Sequence, residues 1–348
     1  MLRRLPAEWE QQNFIQITFP HENSDWGVSL AEVITTFVEL IKTITEFQLC
    51  FVICQNKKLV FNYLEGCNQD NLMLLEIPSN DVWARDHGGI TILKDGKAVV
   101  LDFIFNGWGK KFASEKDNLI TKRIFQEQLK DSPKSANLQA ALKNMEYLPM
   151  NFVLEGGSIE SDGKGSLLTT SKCLLNSNRN PQFSKTQIEE KLKKQFSLKR
   201  VLWLHHGELI GDDTDAHIDT LARFCNEETI AYVQCLDKND PHFEELSLME
   251  QELKSFKNLD GQFYDLVPLP MPSPIFDENK HQLPATYANF LIINEAVLVP
   301  IYQVAEDVIA LQRLQAVFPN RKVIGINCRA LIRQGGSLHC ATMQFPKI

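Results

Sequence analysis

The sequence contains no apolar run long enough to cross a membrane. A membrane helix needs about 18 consecutive apolar residues, and even the stretch NFLIINEAVLVPIY is interrupted by Asn294, Glu295 and Pro300. That stretch predicts two short strands around a turn. The N-terminal segment MLRRLPAEWEQQ also lacks the apolar core of a secretion signal. We therefore expect a cytoplasmic protein that neither spans a membrane nor carries a secretion signal.

Cysteine is present, but not in the spacings of a metal centre or a disulfide framework. The eight cysteines are scattered, and the nearest pair, Cys50 and Cys54, flanks the strand-like residues FVI. Without a secretion signal, an even number of cysteines does not imply disulfides. We expect thiols in a reducing cytoplasm.

Positively charged residues are also fewer than negatively charged ones. The 348 residues include 36 Lys and Arg against 44 Asp and Glu, which gives a formal net charge of -8. This balance argues against a surface for nucleic acid or anionic lipid, and it mildly favours a small cationic ligand. The hydrophobic content of 44% is that of an ordinary globular protein.

Strand-like and helix-like segments alternate along the chain without a low-complexity linker. Helical periodicity predicts a helix over Ser29–Phe47, with Ser29 as its N-cap. The length allows one large or two medium domains, and the unbroken alternation favours a single α/β domain over residues 1–348. Repeats are faint. Three Gly-Gly pairs, in ARDHGGI, VLEGGSI and IRQGGSL, predict that the backbone passes close to a ligand or to another backbone segment.

The segment HGELIGDDTDAHIDTLARF is the densest polar cluster. His217 and Asp219 are two residues apart, so an extended backbone would project both side chains from one face. A histidine beside a carboxylate suits general acid/base catalysis. A solvated acidic turn followed by a buried segment is the structural alternative. Asp and His are also metal ligands, but the glycine and glutamate positions of an EF-hand loop are absent.

The segment RQGGSLHCATMQFP contains a candidate nucleophile. Cys340 follows a histidine, and a neighbouring histidine or positive field favours the reactive thiolate. A small buried hydrophobe in a final strand is the alternative interpretation. Three carboxylates, Asp86, Glu155 and Asp219, also lie beside glycine-rich breaks. One thiol, one histidine and several carboxylates suit attack on the carbon of a guanidinium ion, whose planar N–H groups pair with carboxylates.

Six motifs in order carry a family resemblance: WARDHGG, FNGWG, LEGGSIESDGKGSLLTT, NRNP, DDTDAHIDTLARF and GGSLHCATMQFP. Together they closely resemble the agmatine deiminase and bacterial-type peptidylarginine deiminase family, within the guanidine-modifying superfamily. The resemblance implies a five-bladed, pseudo-symmetric α/β propeller (pentein) that forms a single domain over residues 1–348. It implies hydrolysis of agmatine to N-carbamoylputrescine in putrescine and polyamine metabolism, with no cofactor.

The resemblance also implies a role for each candidate residue. Cys340 would be the nucleophile and His217 the general acid/base. Asp86 and Asp219 would grip the guanidinium, and Glu155 would support His217 and the guanidinium. Since adjacent strand residues point to opposite faces, we expect His217, not His339, to work with Cys340.

The rest of the substrate would be bound by less distinctive residues. Asp213 would bind the distal amine of agmatine, although a solvated turn residue or N-cap is an open alternative. Trp83 and Trp108 would wall the aliphatic stem, and Gly335 and Gly336 would let the chain pass close to the substrate. We expect Arg179 to anchor a loop. Ala216 stands where the family usually has glycine, which should leave the backbone path intact.

Several alternatives stay open at this point. Arginine or peptidyl-arginine could be the substrate of the same site, and an amidinotransferase would use the same chemistry. A non-catalytic pentein binding protein would be expected to lose Cys340 or His217, and both are present. A metal-dependent hydrolase is the remaining class. A homodimer is expected because members of the family it resembles often associate, and no nucleic-acid or membrane partner is expected.

Overall fold

The computed structural model describes residues 3–127, 136–143 and 145–347, and in these strands and helices alternate as predicted. The strands are β1 (Arg3–Arg4), β2 (Gln12–Thr18), β3 (Leu49–Cys54), β4 (Leu72–Glu76), β5 (Ile90–Lys94), β6 (Lys97–Ile104), β7 (Met145–Val153), β8 (Ile159–Ser161), β9 (Ser166–Thr170), β10 (Arg200–Leu204), β11 (Ala222–Phe224), β12 (Thr229–Gln234), β13 (Asp265–Pro270), β14 (Leu291–Ile293), β15 (Ala296–Ile301), β16 (Lys322–Asn327) and β17 (Thr342–Pro346). The helices are α1 (Leu30–Thr45), α2 (Lys57–Tyr63), α3 (Ala84–His87), α4 (Gly107–Lys110), α5 (Ile120–Glu127), α6 (Ala136–Ala141), α7 (Ser171–Leu174), α8 (Lys185–Phe196), α9 (Phe243–Ser255) and α10 (Glu306–Val317).

The strands of the described residues form five separate sheets, the number of blades that a pentein requires. Each sheet combines an antiparallel pair with a parallel pair that shares one of its strands. The antiparallel pairs are β17/β2, β5/β6, β8/β9, β11/β12 and β14/β15, and the matching parallel pairs are β2/β3, β6/β7, β9/β10, β12/β13 and β15/β16. A parallel pair needs a crossover, and helices supply it in every case. The repeat is therefore structural, although it is faint in the sequence.

The chain divides into two compact units. Unit 1 comprises Met1–Arg3, Glu10–Gly156 and Ala341–Ile348, and it contains the sheet β17-β2-β3-β4 and the strands β5, β6 and β7. Unit 2 comprises Arg4–Trp9 and Gly157–Cys340, and it contains the other three sheets. The single domain over residues 1–348 stays a prediction.

In unit 1, the last strand pairs with one of the first. Thr342 lies opposite Ile17, and Phe345 lies opposite Phe14. The buried ring of Phe14 stacks between those of Phe51 and Phe345, with centroids 4.1 and 4.3 Å away. The segment that follows Cys340 is thus held by a sheet and by aromatic packing, which explains why it does not fray.

Helix α1 confirms the predicted helix but not its cap. A 3-10 turn at Gly27–Ser29 leads into the helix, and Ser29 is itself in the right-handed helical region. Its side chain makes no capping hydrogen bond. The prediction of Ser29 as a capping residue was wrong because capping requires a non-helical backbone at that position.

The predicted hairpin in NFLIINEAVLVPIY is confirmed. β14 and β15 pair antiparallel, and Glu295 occupies the turn with a φ of 62°. No helix among the described residues has both the length and the apolarity to span a bilayer.

Candidate active site

Cys340 lies in a turn of unit 2, directly before β17, and not in the final strand. Its side chain is 5% exposed. The thiol Sγ is 3.9 Å from Oδ2 of Asp219, which is fully buried. Two residues 121 positions apart in the chain, both predicted for the site, are therefore brought into contact.

Asn289 fixes the position of this thiol. Its Oδ1 accepts the backbone N–H groups of His339 and Cys340, at 2.9 and 3.3 Å. Its Nδ2 donates to the Cys340 sulfur at 3.3 Å and to the Asp219 carbonyl oxygen at 3.2 Å. An amide donor at a sulfur favours the thiolate form. The sequence analysis missed this role, although a polar residue at the head of a buried apolar run was a usable signal.

His339 has a position that strand geometry did not predict. Because residues 338–341 form a turn, the alternation of strand side chains does not apply there. The His339 ring nitrogen Nδ1 lies 2.7 Å from Asp219 Oδ2, the oxygen that Cys340 also approaches. The other ring nitrogen, Nε2, lies 2.7 Å from Glu8 Oε2. The expectation of strand alternation at His339 and Cys340 was wrong, whereas the choice of His217 as the histidine that works with Cys340 stays a prediction.

Glu8 connects this cluster to a buried arginine. Arg223 Nη2 lies 3.0 Å from the same Glu8 Oε2, and Arg223 also pairs with Glu160. The guanidinium lies over the ring of Phe290, 4.9 Å from its centroid, and it is completely buried. Full burial of so many charges is tolerated only when each is paired. Sequence reasoning missed Glu8, Glu160 and Arg223 because partners so far apart leave no local pattern.

The loop before His217 is held by its own acidic residues. Asp212 accepts the backbone N–H groups of Thr214 and Ala216, at 3.1 and 2.7 Å. Thr214 Oγ1 in turn accepts the N–H of His217 at 3.1 Å. Asp212 and Thr214 thus direct the chain into His217, which is fully buried. Asp212, Asp213 and Asp215 are partly exposed and the chain is buried from Ala216 onward, so the alternative of an acidic turn followed by a buried segment stays open.

Two residues of the loop have left-handed backbone conformations without being glycine. The φ values are 67° for Asp215 and 65° for Ala216. Arg179 pairs with the Asp215 carboxylate and donates to the Thr214 carbonyl at 2.9 Å. These bonds confirm Arg179 as a loop anchor, and they hold a conformation that costs about 1 kcal/mol or more per residue.

The segment after His217 is not extended. Ile218–Thr220 forms a 3-10 turn, with His217 as the residue before it. The argument that His217 and Asp219 share the face of a strand was wrong, because the backbone there is helical. Cys173, which sequence reasoning did not select, places its sulfur within 4.8 Å of a ring nitrogen of His217.

Asp213 is half-buried and lies beside Gly335. Gly335 has a φ of 79° after a 3-10 turn, and a Cβ there would come 3.1 Å from Asp213 Oδ1. A side chain at 335 would therefore crowd this carboxylate. Gly336 is buried.

In unit 1, Asp86 and Trp108 are in contact. Asp86 lies in α3 and accepts a hydrogen bond from the Trp108 indole N–H at 2.9 Å. Trp108 belongs to α4, a left-handed turn in which Gly107, Trp108, Gly109 and Lys110 all have positive φ. Trp83 is buried, and its ring lies 5.8 Å from that of Trp26.

Glu155 is fully buried at the end of β7, directly before Gly156. A Cβ on Gly156 would lie 2.2 Å from the backbone oxygen of Arg85, and one on Gly88 would lie 2.5 Å from that of Ala84. The prediction that the glycine pairs mark close backbone approaches is thus confirmed at these two positions.

Comparison with known proteins agrees with the fold and with the motifs. The sequence profile of the family described as Porphyromonas-type peptidyl-arginine deiminase matches residues 4–346. A solved structure from Porphyromonas gingivalis, named "Putative Arginine Deiminase", is 48% identical with a TM-score of 0.91, and 99% of each chain is covered.

Two further solved structures are named agmatine deiminases. The one from C. jejuni is 40% identical with a TM-score of 0.88, covering 99% of this chain and 97% of that one. The one from Enterococcus faecalis is 29% identical with a TM-score of 0.88, covering 99% and 96%. These similarities, together with the five sheets, confirm the predicted pentein fold class.

Proposed function

Because the chain belongs to the Porphyromonas-type peptidyl-arginine deiminase family, we propose that it is an agmatine deiminase. Such an enzyme is a hydrolase that acts on a C–N bond of a linear amidine. Agmatine and water become N-carbamoylputrescine and ammonia. The full-length similarity to solved agmatine deiminases supports this substrate.

The contact between Cys340 and Asp219 carries the proposal. The sulfur and the carboxylate oxygen are 3.9 Å apart and both residues are buried. A guanidinium ion whose N–H groups pair with the Asp219 carboxylate presents its carbon to the Cys340 sulfur, and Asp86 is proposed as a second carboxylate for the same ion. A simple structural thiol would have no need of a carboxylate and an amide donor converging on it.

The first half of the reaction forms a covalent intermediate. The Cys340 thiolate attacks the guanidinium carbon and a C–S bond forms. His217 gives a proton to the departing nitrogen, the C–N bond breaks, and ammonia leaves. An S-alkylthiouronium remains on Cys340.

The second half returns the enzyme to its starting state. His217, now neutral, accepts a proton from a water molecule that attacks the same carbon. The C–S bond breaks, the electron pair returns to sulfur, and the N-substituted urea leaves. Glu155 supports His217 and the guanidinium throughout. No step transfers electrons, so no redox cofactor is required.

Asp213 favours agmatine over free arginine. Its carboxylate suits the distal ammonium of agmatine and repels the α-carboxylate of arginine. Gly335 leaves that carboxylate uncrowded. Arg179, a cation that bonds to the two residues after Asp213, is occupied by the Asp215 carboxylate and the Thr214 carbonyl. Trp83 and Trp108 are proposed to bind the aliphatic stem of the substrate, and Gly336 is proposed to let the chain pass close to it.

Arginine is the second candidate substrate. The observation in its favour is the 48% identity to the P. gingivalis structure, whose name specifies arginine. The name of the family adds peptidyl-arginine as a third form of the same guanidinium group.

Turnover of three substrates tests the proposal. We expect ammonia and ureido product from agmatine at a kcat/KM at least about 100-fold above that for arginine or an arginine-containing peptide, since an unpaired buried charge costs roughly 3 kcal/mol. Cys340→Ala should abolish turnover, whereas Cys235→Ala, which removes an equally buried thiol, should retain it. Chelator treatment should leave activity unchanged. Preferential turnover of arginine would reject the substrate, and activity in Cys340→Ala would reject the mechanism.

Two statements about the setting of the protein stay predictions. A homodimer is expected without a nucleic-acid or membrane partner. A cytoplasmic location is expected, and the presence of all eight cysteines as thiols suits a reducing compartment.

A further inference from the structure

His339 lies between two carboxylates. Its two ring nitrogens are each 2.7 Å from an oxygen, of Asp219 on one side and of Glu8 on the other. All three side chains are at most 5% exposed. A neutral imidazole has one N–H and one acceptor nitrogen, so it would place its acceptor against an ionised carboxylate on one side. Only the doubly protonated ring donates to both.

We propose that His339 is a positioning residue, held as an imidazolium by Glu8, which keeps Asp219 ionised and promotes the thiolate form of Cys340. This proposal rests on the proposed function, in which Asp219 binds the guanidinium and Cys340 attacks it. It assigns Glu8 a role in the site through its bond to His339.

The charges around His339 support the cationic form. Glu8 is held in turn by Arg223 at 3.0 Å and by the backbone N–H of Ile292 at 2.8 Å, and Glu160 pairs with the same arginine. With His339 protonated, the three carboxylates Glu8, Glu160 and Asp219 face two cations, Arg223 and His339. One negative charge is left over within this cluster before Cys340 ionises.

Cys340 gains most from this cation. Its sulfur and the His339 ring both approach Asp219 Oδ2. A thiolate 3.9 Å from an uncompensated carboxylate would be strongly disfavoured, and a cation bound to that carboxylate removes most of the repulsion. Tyr302, a titratable side chain near Cys340, adds no charge because burial raises its pKa.

The test compares three histidine or glutamate replacements. His339→Gln keeps a hydrogen-bond donor of similar size but removes the charge, and Glu8→Gln removes the carboxylate that holds the cation. His242→Gln is the matched control, because His242 is also buried and bonded to a carboxylate, Asp240 at 2.7 Å, outside this network. The readout is the pH profile of Cys340 alkylation by iodoacetamide without substrate, followed on the Cys340 peptide by mass spectrometry.

We expect His339→Gln to move the midpoint of alkylation upward by about one pH unit or more, which lowers the rate at neutral pH by roughly tenfold. Glu8→Gln should move the midpoint in the same direction by a smaller amount, and His242→Gln should leave it unchanged. In agmatine turnover, His339→Gln should raise KM as well as lower kcat, because Asp219 binds substrate. A folded His339→Gln variant with the wild-type midpoint would overturn the proposal.

A measurement on the unmodified protein protects the test against misfolded variants. In histidine labelled with 15N, one ring should stay protonated on both nitrogens at pH 8, and the absence of such a ring would also overturn the proposal. Neither alkylation nor this spectrum uses a substrate. If the wild-type protein did not turn over agmatine, that result would therefore reject the proposed function but not the role proposed for His339.

Discussion

Asp117 and His87 in unit 1 are buried in the opposite way to Glu8 and Asp219 in unit 2. In unit 1, burial raises the pKa of Asp117 to about 7 and lowers that of His87 to about 3, so both are driven towards their neutral forms. In unit 2, Glu8 and Asp219 are as deeply buried, but each lies against a cation, Arg223 or His339. A charge that must persist in the interior needs a partner, whereas a charge that is dispensable can be titrated away.

The largest effect should come from breaking the pairing in unit 2. Arg223→Met keeps much of the side-chain volume but leaves Glu8 and Glu160 without their shared cation. We expect the free energy of unfolding to fall by about 3–5 kcal/mol, the usual cost of a buried charge deprived of its partner. Urea denaturation followed by circular dichroism measures it.

Arg200→Met is the control for that experiment. Arg200 is half-buried and bonds to two neutral groups, the Ser166 hydroxyl at 2.9 Å and the Tyr264 hydroxyl at 3.1 Å. Replacing Arg200 should lower the free energy of unfolding clearly less than replacing Arg223. Equal decreases in the free energy of unfolding for the two variants would mean that pairing with buried carboxylates does not make Arg223 more important for stability than Arg200.

A smaller and opposite effect is expected at Asp117 in unit 1. The folded protein holds the Asp117 proton more tightly than the unfolded chain, whose ordinary pKa is 3.8. Stability is therefore lost as pH rises from about 4 to about 7. Asp117→Asn keeps the Oδ1 acceptor for the N–H groups of Asn80 and Asp81. It should add about 1–3 kcal/mol at pH 8, since each unit of pKa difference is worth about 1.4 kcal/mol.

Urea denaturation at pH 5 and pH 8 distinguishes this effect from a general one. At pH 5 the gain for the variant should be clearly smaller than at pH 8, because the folded protein still holds the Asp117 proton and only the ionisation of the unfolded chain has begun to reduce stability. The exposed substitution Asp70→Asn should change stability by the same small amount at both pH values. A gain for Asp117→Asn that is independent of pH would contradict the burial argument.

The smallest effect concerns backbone strain in the two units. The left-handed turn of unit 1 contains Gly107 and Gly109, whereas Asp215 and Ala216 of unit 2 have positive φ without glycine. Ala216→Gly relieves about 1 kcal/mol of strain but loses a buried methyl worth about 0.8 kcal/mol. We expect a net change below about 1 kcal/mol in thermal unfolding, with kcat/KM retained.

Ala216→Val sharpens the same point. A β-branched residue is poorly tolerated at a φ of 65°, so this variant should lose both stability and activity. If valine were accepted as readily as glycine, the loop would not be holding His217 through its backbone.

The sequence was most informative where residue type alone matters. Cys340 and Asp219 were predicted from chemistry and motifs, and the structure brings them together. Gly156 was predicted to allow a close backbone approach, and the oxygen of Arg85 lies there. Alternation of strands and helices was also sufficient to indicate an α/β fold.

Sequence reasoning failed where it assumed a regular strand. At residues 217–219 and 338–340 the chain turns, so the period of two on which side-chain direction depends was not present. It also failed for Glu8 and Asn289, which reach the site from distant segments. Tertiary contacts of this kind depend on how sheets pair, and no local spacing encodes them.

The bond between His339 and Glu8 has a consequence for how the protein folds. It joins residues 331 positions apart in the chain. Contacts of such long range are entropically expensive and form after local ones. The helices and hairpins can therefore form before the His339–Glu8 contact does, and until then Cys340 behaves as an ordinary thiol. We expect the Cys340 thiol to become reactive only when that contact forms, so a partly folded chain would not contain an activated thiolate.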